Sequence, residues 1–325
     1  MTANTPPSLS AEQDAYLRDR SDGMGAYLVL HAWGVMVLAM AFFIAWPNPL
    51  SFIISVVVIG GRQLGLAILM HDAAHRALFK NTRLNDMVGA FLCGWPVGAS
   101  LTLYRPYHLS HHRHTQQDED PDLILSAPFP ITRQSFWRKM RRDILGMTGY
   151  QRRMEFFRME MGQDPSRWQR LKKLFQAEKY FALTNLVIFA ATAAAGVWWA
   201  YFALWLLPLL TWYQVISRIR NIAEHAVVGD NNDRLRNTRT TLTNWGMRMV
   251  LAPYWVNYHL EHHLFVFTPC WKLPAAHRLL IEQGFGPRME VAQGYLAVLR
   301  KAVSKPHDDA DPGSPGHQRK RAQLI

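Results

Sequence analysis

Residues 26–70 read AYLVLHAWGVMVLAMAFFIAWPNPLSFIISVVVIGGRQLGLAILM and run directly into His71-Asp72-Ala73-Ala74-His75. Arg62 is the one formally charged residue of the apolar run. At a rise of 1.5 Å per residue, about 20 residues cross a bilayer, so the run holds two spans, 26–46 and 50–70. The break falls at Pro47-Asn48-Pro49, a turn signal. Further along, residues 180–217 carry no charge and are long enough for a second hairpin, 180–196 and 198–217, turning near Gly196 and Trp198-Trp199. The alternative for each run is a buried soluble hairpin, which their length argues against. The expected fold class is therefore all-α and integral to a membrane, with four transmembrane helices in two hairpins.

Composition agrees. Hydrophobic residues make up 49% of the 325-residue chain and 12 are Trp, yet mean hydropathy is −0.10. Apolar spans must alternate with highly charged loops to give both values. The net charge of +12 fits an anionic bilayer surface, and the spans favour that over nucleic acid as partner. Residues 105–178 carry 14 Lys and Arg against nine Asp and Glu, which places this loop on the cytoplasmic side. The two cysteines, Cys93 and Cys270, have no metal-like spacing. Residues 1–24 are polar and do not resemble a secretory leader, so the first apolar run is expected to be retained. Residues 25–304 read as one membrane domain and 305–325 as a disordered tail. Residues 87–104 are interrupted by Gly89, Gly94, Pro96 and Gly98. A single crossing there would separate histidines that need to meet, and the segment is too short to cross twice, so it reads as interfacial or re-entrant.

The 14 histidines are the anomaly, because most lie in four short segments. His71 and His75 stand at i and i+4 and share one helix face. His108, His111 and His112 repeat that face with one addition, and the adjacent pair diverges enough to address two neighbouring metals. His259, His262 and His263 have the same spacing. His225 stands alone, with Asn221 one turn before it. These nine imidazoles are about what two metals with four or five ligands each require. Imidazole suits iron, copper, zinc and nickel alike, so the residues leave the metal open. Neutral ligands leave the metal charge uncompensated; Asp72, Asp118, Glu224 and Glu261, in or beside the clusters, are expected to hold the outer ring nitrogens or act through water. His114 is out of phase and is placed behind the ligands or at the surface. His31, His277, His307 and His317 read as ordinary.

The three clusters, in this order and between paired spans, resemble the membrane fatty-acid desaturase and hydroxylase superfamily over roughly residues 25–275. The resemblance implies four membrane helices below a cytosolic helical cap that holds two non-haem irons. The eight cluster histidines and His225 would be the iron ligands, and Asn221 would reach a metal through water. Dioxygen would be the co-substrate. Front-end desaturases usually have Gln where His259 stands, and often a fused cytochrome b5 domain with His-Pro-Gly-Gly, which this sequence does not contain. Acyl-CoA Δ9 desaturases typically have one more residue between the first two histidines. The pattern is thus more similar to acyl-lipid desaturases, with a membrane lipid as substrate. Electrons would come from a separate ferredoxin, rubredoxin or cytochrome b5-like protein, with the site on the cytoplasmic face of a bacterial inner membrane.

The expected activity is oxygen-dependent desaturation of a long acyl-type chain. The alternative on the same iron site is a lipid, sphingoid, carotenoid or alkane hydroxylase or ketolase. A non-enzymatic metal or haem membrane protein is the alternative of another class; it would place single histidines or ligands inside the spans, and 180–217 contains no histidine.

Overall fold

The computed structural model describes residues 8–306. His307, His317 and most of the expected disordered tail lie outside the described residues. The chain starts with helix α1 (Ala11–Arg18) and then forms the first hairpin, α2 (Asp22–Ala45) and α3 (Pro49–Ala74). Pro49 opens α3 with its ring-fixed φ, and the Asn48 side chain accepts from the amides of Leu50 and Ser51. Leu30, Val37 and Leu38 of α2 face outward, as a lipid-facing stripe would. α3 is the central helix: from Ile59 to His75 every residue except Ala67 is buried. Glycines make this close approach possible. A Cβ on Gly65 would lie 2.8 Å from the Tyr254 ring, and one on Gly61 would lie 3.1 Å from the Met249 carbonyl.

After α3 come α4 (Thr82–Val88), a π-type turn at Gly89–Gly94 and a 3-10 turn at Trp95–Val97. Gly98 takes φ 81°, open to a residue without Cβ, and the chain leaves as α5 (Leu101–His114), bent by 93° from the preceding helix. Residues 87–104 are thus a broken helix. The polar region follows with α6 (Leu123–Ser126), α7 (Arg133–Ile144) and α8 (Met147–Met161). α9 (Arg167–Ala194) runs to a turn at Gly196, where φ is 76°. A continuous helix Tyr201–His225 returns, made of a π-type turn, α10 (Leu207–Leu210) and α11 (Trp212–His225).

Asp22–Ala45, Pro49–Ala74 and Tyr201–His225 are long and apolar enough to cross a membrane, and the bent pair Thr82–Val97 with Leu101–His114 passes only when taken together. The second expected hairpin turns where the sequence places it, but both helices overrun the expected limits. α9 begins at Arg167 and its uncharged part, 180–194, is short of a full crossing. The returning helix continues past Ser217 to His225, so an expected span end is also the arm that carries a site residue.

The last part holds α12 (Trp245–Val250), α13 (His259–Leu264), α14 (Leu273–Glu282) and α15 (Tyr295–Ala302). It departs from the expected all-α class in one feature. β1 (Thr240–Leu242) and β2 (Val291–Gln293) pair in parallel, with Thr240 opposite Val291. Three-residue strands have no alternating run for a sequence pattern to expose. The pair ties the loop after α11 to the segment before α15.

Candidate metal centre

Four helices deliver the nine expected imidazoles: α3, α5 and α11 do so in their C-terminal halves, and short α13 along its length from its first residue. His71 lies in the last turn of α3 and His75 follows as its C-cap. His108, His111 and His112 occupy the second half of α5; His225 ends α11; the six-residue α13 carries His259, His262 and His263. The broken segment before α5 brings the second cluster back to the first, so the rings of His71 and His108 stand 4.4 Å apart between centroids.

Helix C-termini leave carbonyls unpaired, and here guanidinium groups take them. Arg105 donates to Ala73 and Ala74 at the end of α3 and pairs with Asp86. Arg239, 1% exposed, donates to the carbonyls of Ala223, Ala226 and Val227 at the end of α11 and pairs with Glu290. Arg234 reaches the His263 carbonyl at 3.4 Å. Positive charge at a helix C-terminus also complements the macrodipole. None of these arginines is marked by spacing, because each caps a helix distant in sequence or follows its helix by an irregular loop.

The nine histidines fall into two groups. His71, His75, His108, His112 and His262 form one; His111, His225, His259 and His263 form the other; within each, one nitrogen per ring lies within 4.8 Å of all the rest. Both adjacent pairs, His111-His112 and His262-His263, divide between the groups. His112 and His263 stack at 4.1 Å, where the groups meet.

The nitrogens themselves test whether metals fit. In the first group, the His112 Nε2 lies 2.9 Å from the Nε2 of both His108 and His262. In the second, the His259 Nε2 lies 2.8 Å from His225 Nε2 and 3.1 Å from His263 Nε2. On the outer side, Asp120 Oδ1 lies 2.7 Å from His111 Nδ1, and Thr115 Oγ1 lies 3.1 Å from His263 Nδ1 while donating to the His111 carbonyl. Protons on those outer nitrogens leave bare lone pairs at Nε2, aimed into the groups. Lone pairs converging at such distances repel unless a cation lies among them. Burial first, and then the neighbouring imidazoles, hold His259, His262 and His263 well below the ordinary imidazole range, which keeps them neutral as ligands must be. The residues fit two metal ions.

The carboxylates are only partly where they were expected. Glu224 Oε2 lies 3.7 Å from His259 Nδ1 and 3.2 Å from Arg220, and Asp72 lies 3.7 Å from His71 Nδ1 while accepting from the Cys270 amide. Asp118 is exposed, and the acid at the rings is Asp120. The two differ because Asp120 also accepts from the Gln116 amide, which turns the loop after α5 inward at a residue with φ 63°. Glu261 faces away from the cluster imidazoles. It binds Thr240 of β1 and His277 of α14, the latter at 2.5 Å, and so anchors α13 from behind. His277 therefore has a defined task where an ordinary residue was expected. Asn221 is half-buried on α11, one turn before His225. His114 is half-buried beside the second cluster and belongs to neither group.

Apolar helices of membrane-crossing length that end in two buried imidazole groups define a membrane-type metalloprotein. The chain belongs to the fatty acid desaturase family, whose sequence profile matches residues 45–291. It is 29% identical to the dihydrorhizobitoxine desaturase of Bradyrhizobium elkanii, over 84% of this chain and 78% of that protein. It is 25% identical to the sn-1 oleoyl-lipid 12-desaturase of Anabaena variabilis, over 75% of this chain and 73% of that one. It is also 22% identical to a beta-carotene ketolase of Paracoccus sp. (strain PC1), over 78% and 88%. The protein is accordingly an oxidoreductase of this family, which removes the non-enzymatic alternative.

Proposed function

We propose that the protein is an oxygen-dependent di-iron desaturase that introduces a double bond into a long acyl-type lipid chain. The observation that carries this reading is the division of nine imidazoles into groups of five and four at the ends of apolar helices. His71, His75, His108, His112 and His262 would hold one iron, and His111, His225, His259 and His263 the other. Two bound irons would supply the dioxygen chemistry that removes hydrogen from an unactivated C–H bond. The chain's own residues fix that centre in place. Asp120 and Thr115 hold the outer nitrogens of His111 and His263, the capping arginines hold the helix ends, and every ring except half-buried His112 is buried. Asn221 would reach a metal through a water.

In this reading the protein has four membrane spans, α9 supplying one with its neighbours, and its site faces the cytoplasm of a bacterial inner membrane. The substrate is a membrane lipid, and the electrons come from a separate ferredoxin, rubredoxin or cytochrome b5-like donor. Desaturase relatives matched over most of their length favour this reaction. Hydroxylation or ketone formation is the second reading, favoured by the match to a carotene ketolase over 88% of that protein.

Expression in a host of known lipid composition, with full lipid profiling against a His111→Ala control, separates the two. Products lacking two hydrogens are expected. Gain of an oxygen atom would assign the chain to the second reading, and an unchanged profile in a host supplied with a donor would remove long acyl chains as substrate.

A further inference from the structure

A polar cavity of about 190 Å³ opens beside the metal centre. Its wall comes from the stretch that ends α5 and from the loop after α11, and it includes Arg113, Asn231, Asn232 and Arg234. His112 and His263 also line it. These are the two rings that stack where the groups meet, one from each group. The cavity therefore touches the junction of both metal positions rather than one of them.

Its chemistry is one-sided. The charged groups that line it are the guanidinium groups of Arg113 and Arg234, and no carboxylate does. Asp230 and Asp233 flank the loop, but their carboxylates accept from the amides of Asn232 and Leu235. Asp118 and Glu119 are exposed outside it. Arg113 has no ion-pair partner among the described residues, while Arg234 is shared with the His263 carbonyl. The buried Nδ1 of His112 has no partner either. At roughly 30 Å³ per water the space takes a few small molecules, which is below the 300 Å³ or so of an ordinary organic ligand site. Amide and guanidinium donors in front of a metal pair held by neutral ligands draw negative charge.

We propose that this cavity is a polar port to the metal pair and binds a small anion between Arg113, Arg234 and the metals. The inference rests on the di-iron reading.

Azide is a suitable probe, since it is small, anionic and visible when bound to iron. Iron-loaded wild-type protein is titrated with azide and followed by its optical spectrum, with iron content measured in the same samples. Arg113→Gln should weaken azide binding by about tenfold, the effect of 1.4 kcal/mol, and Arg113→Lys should restore most of it. Asn232→Trp, which fills the exposed mouth, should slow azide association by about tenfold or more with iron content unchanged. If iron-loaded wild type gives no azide-dependent band, or if the three variants retain full iron with wild-type affinity and association rate, the port is not the route. Wild-type protein that takes up no iron would instead overturn the di-iron reading. If Arg113→Gln loses iron, the Asn232→Trp rate alone decides.

Discussion

Where an outer ring nitrogen of the site has a partner, that partner sets the ring's proton, as at His111 and His263. Asp120 is the clearest example, because its 2.7 Å contact sets the proton on the outer side of His111. Its other oxygen and the Gln116 amide fix the loop that carries it. Asp120→Asn keeps the shape but can present an amide N–H where a lone pair is needed, which favours the wrong His111 tautomer. We expect a 10- to 100-fold loss of activity or metal affinity, read as iron content and turnover in parallel; wild-type values for both would remove Asp120 from the centre. His225 and Asn221 make a second comparison, one helical turn apart on α11. A ring that belongs to the four-membered group should take about one metal equivalent with it, so His225→Ala should lose activity and that metal. Asn221→Ala should retain most metal and turn over roughly 10- to 100-fold more slowly. Wild-type turnover in Asn221→Ala would leave His225 as the only contribution of this helix. These residues also mark how far a sequence can be read. The eight clustered histidines were legible because i, i+3 and i+4 spacing survives folding along one helix, whereas His225 stands alone and carries no such spacing. Asp120 was not distinguished from Asp118 because the loop geometry that selects between them begins at a left-handed Gln116.

At the scale of elements, the site is a problem of ending helices. α3 and α11 reach the metal groups with their C-terminal turns, and both ends are buried, where unpaired carbonyls are costly. Arg239 answers this at α11 with bonds to three carbonyls and an ion pair to Glu290, which leads into β2. The parallel strand pair then has a purpose: it carries Arg239 and Glu290 together, since Glu290 immediately precedes Val291. Arg239→Met removes the charge, leaves the carbonyls without their donor and leaves Glu290 with only the exposed Lys301 at 3.7 Å. Breaking one side of a buried pair costs about 3–5 kcal/mol. Thermal unfolding of the metal-loaded variant should show that loss together with reduced occupancy of the four-histidine group. Arg239→Lys, with one donor head in place of a planar fork, should recover only part of both. A variant with wild-type unfolding and iron content would assign the position of His225 to other contacts. None of this was legible in advance. Hydrophobic runs gave the first hairpin and the turn at Gly196, but a capping arginine leaves no periodic trace, and three-residue strands leave none either.

For the whole molecule, the decisive question is which way the apolar helices present the site. Pro49–Ala74 and Tyr201–His225 are the returning helices of two different hairpins, and both end among the same imidazoles. If both cross the membrane, their site ends must share one face, and the nine histidines fix that face for all three clusters. In the proposed arrangement the broken helix before α5 would return the second cluster to that face without a net crossing. In the proposed orientation charge would choose the face: α7 exposes Arg133, Arg138, Arg141 and Arg142 together with Trp137 and Ile144 on the surface away from buried Phe136 and Met140. Exposed basic and aromatic groups on one helix suit the headgroup layer of an anionic leaflet, and the excess of Lys and Arg over residues 105–178 favours the cytoplasmic side. Single cysteines at Arg133 and Asn231, introduced after Cys93 and Cys270 are replaced, probe this arrangement, since both positions are exposed. In intact cells an impermeant thiol reagent should leave both unlabelled, and permeabilised cells should label both. Labelling of both from outside would invert the molecule. Labelling of only one would mean that the chain between α7 and the loop after α11 crosses the membrane an odd number of times, which the shared position of His225 and His111 in one metal group does not allow.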